Sequence, residues 1–197
     1  IACPQIVARA PEPMGYAGIG DLIAKLVARI DWQVASMVTG EPFAERESAW
    51  SARAARTALA RFRREGLQAS AVTSLDALLV TGRAMVLAGS SRPAASSEHT
   101  FAHLWEVARP GAAELHGALV ASASRIVLDV YRWIVERLDR GTGIPSSLAD
   151  RANAAYDAEQ SWQDRVPPEM QPYLGKMREE SAGRRLSPEK LRLRIER

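Results

Sequence analysis

The chain has 197 residues, 47% of them hydrophobic and 25% charged, a balance that belongs to globular proteins and excludes a wholly disordered one. That length suffices for one sizeable core, or for one domain with appendages. Lys and Arg outnumber Asp and Glu by only 26 to 23, so the pI near 9.3 reflects a small surplus and gives little support to nucleic acid as a partner, and none is expected.

The single cysteine, Cys3, rules out an intrachain disulfide, and no charged leader with an apolar run and cleavage site is visible. No stretch approaches the roughly twenty apolar residues needed to cross a bilayer. The expectation is a cytoplasmic protein with no membrane partner. The chain opens Ile1-Ala-Cys-Pro4, without an initiator methionine, and closes in the charged run Leu191 to Arg197. It reads as part of a longer polypeptide.

Pro4, Pro11 and Pro13 surround Ile6-Val7-Ala8, and proline at that density predicts an extended lead-in segment over residues 1–15. From Asp21 onward, Leu22, Ile23, Leu26, Val27 and Ile30 fall at helical spacing. Gly15, Gly18 and Gly20 read as a tight bend into that helix, with the Asp21 carboxylate at its positive end. Gly40-Glu41-Pro42 ends the helix and opens a second, rich in Ala and Arg, which runs to about Glu65-Gly66 with a solvated charged face. A third, from Ser74 to Gly89, is apolar around most of its circumference and is expected to be central and buried.

A Ser/Pro/Ala loop over residues 90–97 leads into a short helix from Glu98 to about Ala108, ended by Pro110-Gly111. A long helix follows from about Ala112 to Arg140, closed by Gly141-Thr142-Gly143. Two more are predicted near Ser146–Ser161 and Pro168–Ala182, with a last basic piece after Ser187-Pro188. There is no period-2 run beyond the lead-in and no internal repeat. The predicted fold is all-α, a bundle of about seven or eight helices, with a helical body over residues 16–183 and a basic helical piece over 184–197.

All three histidines fall in one eighteen-residue window, His99, His103 and His116. Imidazole is the commonest metal ligand and the side chain whose proton moves most easily near neutral pH. His99 and His103 lie four apart on one helix and project from one face, and a tight Pro110-Gly111 connection brings His116 in from the next helix. Asp21, at the mouth of the first helix, is placed to add an oxygen ligand. One carboxylate and two imidazoles leave a divalent ion an open position for substrate, the arrangement of catalytic sites. The competing reading, for any one histidine alone, is a hydrogen-bonded core residue.

Gly18-Ile-Gly-Asp21-Leu-Ile-Ala-Lys25 with Asp31-Trp32 resembles the helix-opening motif of sn-glycerol-1-phosphate dehydrogenases. Ser90-Ser-Arg-Pro, Ser97-Glu-His99 with His103, and Leu115-His116-Gly117 resemble their two histidine motifs in the same order. These enzymes belong to the iron-containing alcohol dehydrogenase, glycerol dehydrogenase and dehydroquinate synthase superfamily, and the resemblance spans about residues 1–140. It implies that the chain is the C-terminal helical domain of that fold, with Asp21, His99 and His116 as metal ligands. Lys25 stands where four-ligand iron enzymes carry a further histidine, which favours zinc or nickel over iron. The implied reaction is hydride transfer between NAD or NADP and C2 of dihydroxyacetone phosphate or glycerol 1-phosphate, in a full-length homo-oligomer.

Within that resemblance His103 is the candidate proton relay. Lys25, assigned both a catalytic and an anion-holding role, and Arg92 are the candidates to hold the substrate, alongside Asp21; a structural salt bridge is the equal alternative for Lys25 and Arg92. The family's nucleotide-binding α/β domain has no counterpart here, because Gly15-Tyr-Ala-Gly-Ile-Gly20 lacks the order, the leading strand and the following carboxylate of a dinucleotide fingerprint. The cofactor is therefore expected to come with a missing domain, and the chain alone to be inactive. Alternatives are another polyol or sugar-phosphate dehydrogenase or synthase of the superfamily, or a non-catalytic helical interaction module. Trp32, Trp50, Trp105, Trp133 and Trp162 read as core or boundary residues, Arg61-Phe-Arg-Arg64 and Arg184-Arg185 as solvated faces. Ser90 and Ser91 lack the glycine pattern of a hydrolase elbow.

Overall fold

The computed structural model describes residues 2–109, 111, 113–141 and 168. Its elements are α1 (Pro4–Val7), α2 (Glu12–Thr39), α3 (Glu45–Ala88), α4 (Ser97–Ala108) and α5 (His116–Asp139). There is no strand among the described residues, and the fold is all-α. The helices predicted near 146–161 and 168–182 and the basic terminal piece lie outside the described residues, Pro168 apart.

The lead-in is helical where an extended segment was expected. Pro4 stands at the start of α1 and Pro13 is the second residue of α2. Both occupy first-turn positions, whose N–H groups have no intrahelical partner and whose φ suits proline. Helix α2 consequently begins nine residues before Asp21, at Glu12, and takes Gly15, Gly18 and Gly20 into its interior. Gly15 packs against Leu67 and Gly20 against Gly117, Gly18 has open space beside it, and none of the three makes a bend.

The second and third predicted helices are two arms of α3, broken at Gly66, whose φ of 82° and ψ of −178° are open to glycine alone. The arms fold back on one another. Ser51 and Thr81, thirty residues apart, share a buried hydrogen bond of 3.0 Å, and Arg61 donates to Thr73 Oγ1 at 2.9 Å. Alanines line the seam: Ala55, Ala58 and Ala77 join Ile19 and Leu22 of α2 in one buried cluster. The second arm is not buried on all sides, since Leu79 is 52% and Val86 80% exposed. An eighteen-residue stretch of α3 reaches a mean hydropathy of 1.5, so by length and composition this helix is apolar enough to cross a membrane, which revises the reading from sequence.

The chain divides into two compact units, Ile1–Val34 with Pro42–Val130, and Ala35–Glu41 with Tyr131–Arg197. In the second, the Thr39 hydroxyl donates to the Ala35 carbonyl, Gly40 leaves the helix at a φ of 77°, and the Arg137 guanidinium lies 5.1 Å from the half-exposed Trp133 ring. The first holds the candidate site. There Ala24 of α2, Ala102 of α4 and Val120 of α5, all fully buried, meet in one cluster. Trp32 is buried as expected and donates its indole N–H to the Pro42 carbonyl at 3.0 Å.

Candidate metal centre

The small residues that join α2, α4 and α5 also aim the candidate ligands. Asp21 lies three residues before Ala24, His99 three before Ala102 and His116 four before Val120. On a helix those intervals return to the same face, so each ligand sits one turn from the point where its helix meets the other two. Alanine at two of the three contacts lets the axes approach closely.

The approach is closest beside the ligands themselves. A Cβ on Gly20 would run into the Gly117 carbonyl oxygen, and one on Gly117 into the carbonyl of Ala17. Asp31, ten residues after Asp21, ties α2 to α4. Its Oδ2 accepts the Ser97 backbone N–H at 3.0 Å and the Ser97 hydroxyl, capping the helix start two residues before His99 and satisfying one of its unpaired N–H groups.

The ligand atoms of Asp21, His99 and His116 all lie within 4.8 Å of one another. His99 Nε2 stands 3.3 Å from Asp21 Oδ1, and the Lys25 ammonium, 3% exposed, stands 2.9 Å from Asp21 Oδ2. Burial pushes the Asp21 carboxyl up, but the hydrogen bond from His99 and the charge and hydrogen bond of Lys25 outweigh it and hold it at about 2. Burial pushes His99 down, and its hydrogen bonds to Asp21 and Glu98 overcome that and raise it above the ordinary 6.5.

Each of the two imidazoles has a carboxylate on its Nδ1. Glu98, fully buried, accepts His99 Nδ1–H at 2.9 Å and the Ser96 backbone N–H at 2.9 Å. Glu106 accepts His116 Nδ1–H at 2.7 Å. With Nδ1 engaged on both rings, Nε2 is the nitrogen left for an ion, on His99 in place of its contact with Asp21, the carboxylate–histidine pattern that accompanies metal ligation. This donor set fits a divalent ion of the zinc class: one carboxylate oxygen and two imidazole nitrogens, three of the four ligands of a tetrahedral ion.

The structure brings Asp21, Lys25, His99 and His116 together, with His103 beside them. The His103 ring stacks on His116 with centroids 5.2 Å apart and lies 6.1 Å from His99, and its side chain is 62% exposed. Arg92, half-buried, donates to Ser96 Oγ at 3.3 Å, at the mouth of α4. Reading the sequence missed Glu98, Glu106 and the capping role of Asp31. Glu106 carries a signal, since His103 and Glu106 are three apart on a helix and so share a face.

Among known proteins the chain is similar to curated glycerol-1-phosphate dehydrogenases [NAD(P)+]. It is 39% identical to that of Metallosphaera sedula over 75% of this chain and 43% of the relative. It is 39% identical to that of Sulfolobus acidocaldarius over 72% of this chain and 41% of the relative. With that of Pyrobaculum islandicum the identity is 33%, over 80% of this chain and 48% of the relative. The chain thus spans less than half the length of these curated relatives. No protein-family model matches it.

Proposed function

Since the chain belongs to the glycerol-1-phosphate dehydrogenase family, we propose that it is the metal-holding part of an NAD(P)-dependent oxidoreductase of that type, with Asp21, His99 and His116 as ligands. One observation carries the reading: three side chains from three helices present ligand atoms within 4.8 Å of one another, two of them backed by carboxylates.

The reaction proposed is reversible hydride transfer between a nicotinamide and C2 of dihydroxyacetone phosphate. A zinc or nickel ion, when bound, would polarise the substrate oxygen as a Lewis acid. The chain's own residues do the rest of the local work. Glu98 keeps the His99 Nε2 directed at the ion's position. Lys25, buried against Asp21, holds one carboxylate oxygen and adds a positive charge beside the reacting oxygen, which suits the negative charge that develops there. That is the form its catalytic and substrate-side roles take. Arg92 is proposed to meet the phosphate.

As C2 gains a hydride the substrate oxygen gains a proton, and His103 is the group proposed to pass it. Its Nδ1 is held by Glu106 at 2.8 Å, which leaves Nε2 to exchange the proton with solvent. The nicotinamide cofactor is proposed to be held by the remainder of a full-length, cytoplasmic protein.

The test is metal analysis of the purified full-length protein. Asp21→Ala, His99→Ala and His116→Ala should each lose the ion and the turnover, whereas His103→Ala should lower turnover and keep the ion. Unchanged metal content in the Asp21 variant would overturn the assignment.

A further inference from the structure

Glu106 reaches two imidazoles at once. Its Oε2 accepts from His103 Nδ1 at 2.8 Å and its Oε1 from His116 Nδ1 at 2.7 Å. A carboxylate only accepts. Both rings must therefore carry a proton on Nδ1, and in the neutral form both keep the lone pair on Nε2.

His116 depends on this contact more than His99 does on its own. His99 is 12% exposed and backed by a fully buried carboxylate. The His116 side chain is 41% exposed at the first position of α5. Its hydrogen bond to Glu106 is the one it makes among the described residues. Without it only ring contacts with His103 and His99 remain, and these do not decide which nitrogen carries the proton.

We propose that Glu106 is a positioning residue that sets the tautomer and direction of His116 toward the metal and, with its second oxygen, holds His103 stacked beside it. One carboxylate thereby couples metal loading to the placement of His103. The inference rests on the metal reading above and adds to it a residue that reading does not require. A glutamine in place of Glu106 could not do the same work, because an amide has one accepting oxygen and its nitrogen would face an N–H.

The experiment is zinc titration against a competing chelator with the full-length protein, beside nitrogen-15 spectra that identify the protonated nitrogen of each imidazole. Glu106→Gln should weaken zinc binding by about 10- to 100-fold, Glu106→Asp should restore part of it, and His103→Ala should stay close to wild type. In the wild-type protein without metal, His116 should be protonated on Nδ1. Wild-type affinity in Glu106→Gln, or a His116 protonated on Nε2 alone, overturns the proposal, and the second readout needs no variant to fold. If His103→Ala weakens zinc as much as His116→Ala, then His103, Glu106 and His116, whose ligand atoms also lie within 4.8 Å, ligate the ion themselves and the proposal is wrong. Zinc binding that ignores Asp21→Ala and His99→Ala sinks the metal reading instead, a separate result.

Discussion

Gly20 of α2 and Gly117 of α5 touch backbone to backbone, each directly beside a candidate ligand: Gly20 precedes Asp21 and Gly117 follows His116. A side chain on either would meet carbonyl oxygen, so the glycine pair sets how far apart the two ligands stand. Helix propensity alone favours alanine over glycine by about 1 kcal/mol. The close crossing should reverse that preference. Gly117→Ala is expected to cost about 1–3 kcal/mol, the range of an overpacked core, and to weaken metal binding. Gly82, in α3 with open space around it, is the control: Gly82→Ala should stabilise by up to about 1 kcal/mol and leave metal binding alone. Urea midpoints of the two variants, moving in opposite directions, check the argument.

The Asp21–Lys25 pair is buried on the lysine side, 3% exposed. Removing the carboxylate charge leaves an ammonium with no counter-charge, and breaking buried pairs in this way costs on the order of 3 kcal/mol. Asp21→Asn should therefore destabilise the metal-free protein by about that amount, and adding Lys25→Met should recover most of it. Denaturation of the metal-free single and double variants measures this. A cost near 0.5 kcal/mol, typical of an exposed pair, would count against it.

Acid and alkali should weaken the metal-free protein at different groups. Asp21 sits at about 2 against an ordinary 3.8, so its contribution, roughly 2 kcal/mol from linkage, is present above its unfolded value and is lost as pH falls toward 2. His99 is raised above 6.5, so its contribution is complete below that value and fades as pH rises past its folded value. The metal-free stability attributable to this pair should peak at mildly acidic pH. His99→Gln should flatten the alkaline side of the profile. A metal-free stability that climbs between neutral and pH 8 in the wild type alone would contradict the assignment.

Gly66 turns α3 back on itself with a φ of 82° and ψ of −178°, a region essentially closed to side-chain residues at a cost of about 1–3 kcal/mol. Gly66→Ala should lower the urea midpoint by that margin, and Gly66→Val by at least as much. An Ala variant as stable as wild type would mean the arms can join through another turn.

Periodicity carried most of the helices. Apolar residues at helical spacing after Asp21, the Gly40 and Gly89 stops, and the short helix before Pro110 are all local patterns, and local patterns are what a linear reading resolves. The proline-dense start misled it because Pro4 and Pro13 fall in first turns, where proline is at home. The site is a parallel case. His99, His103 and His116 were visible as a cluster, and a motif likeness linked them to Asp21, but Glu98 and Glu106 looked like ordinary charges on a helix.

What the sequence determined by itself was the residue types able to bind a metal and the helices that carry them. The tertiary structure decided how those helices cross, because Gly20 against Gly117 and the Ala24–Ala102–Val120 contact are meetings of residues far apart in the chain. It also decided which nitrogen of His99 and of His116 meets a carboxylate. That choice depends on where a carboxylate oxygen lies within about 3 Å of Nδ1, a distance that residue spacing along one chain does not contain.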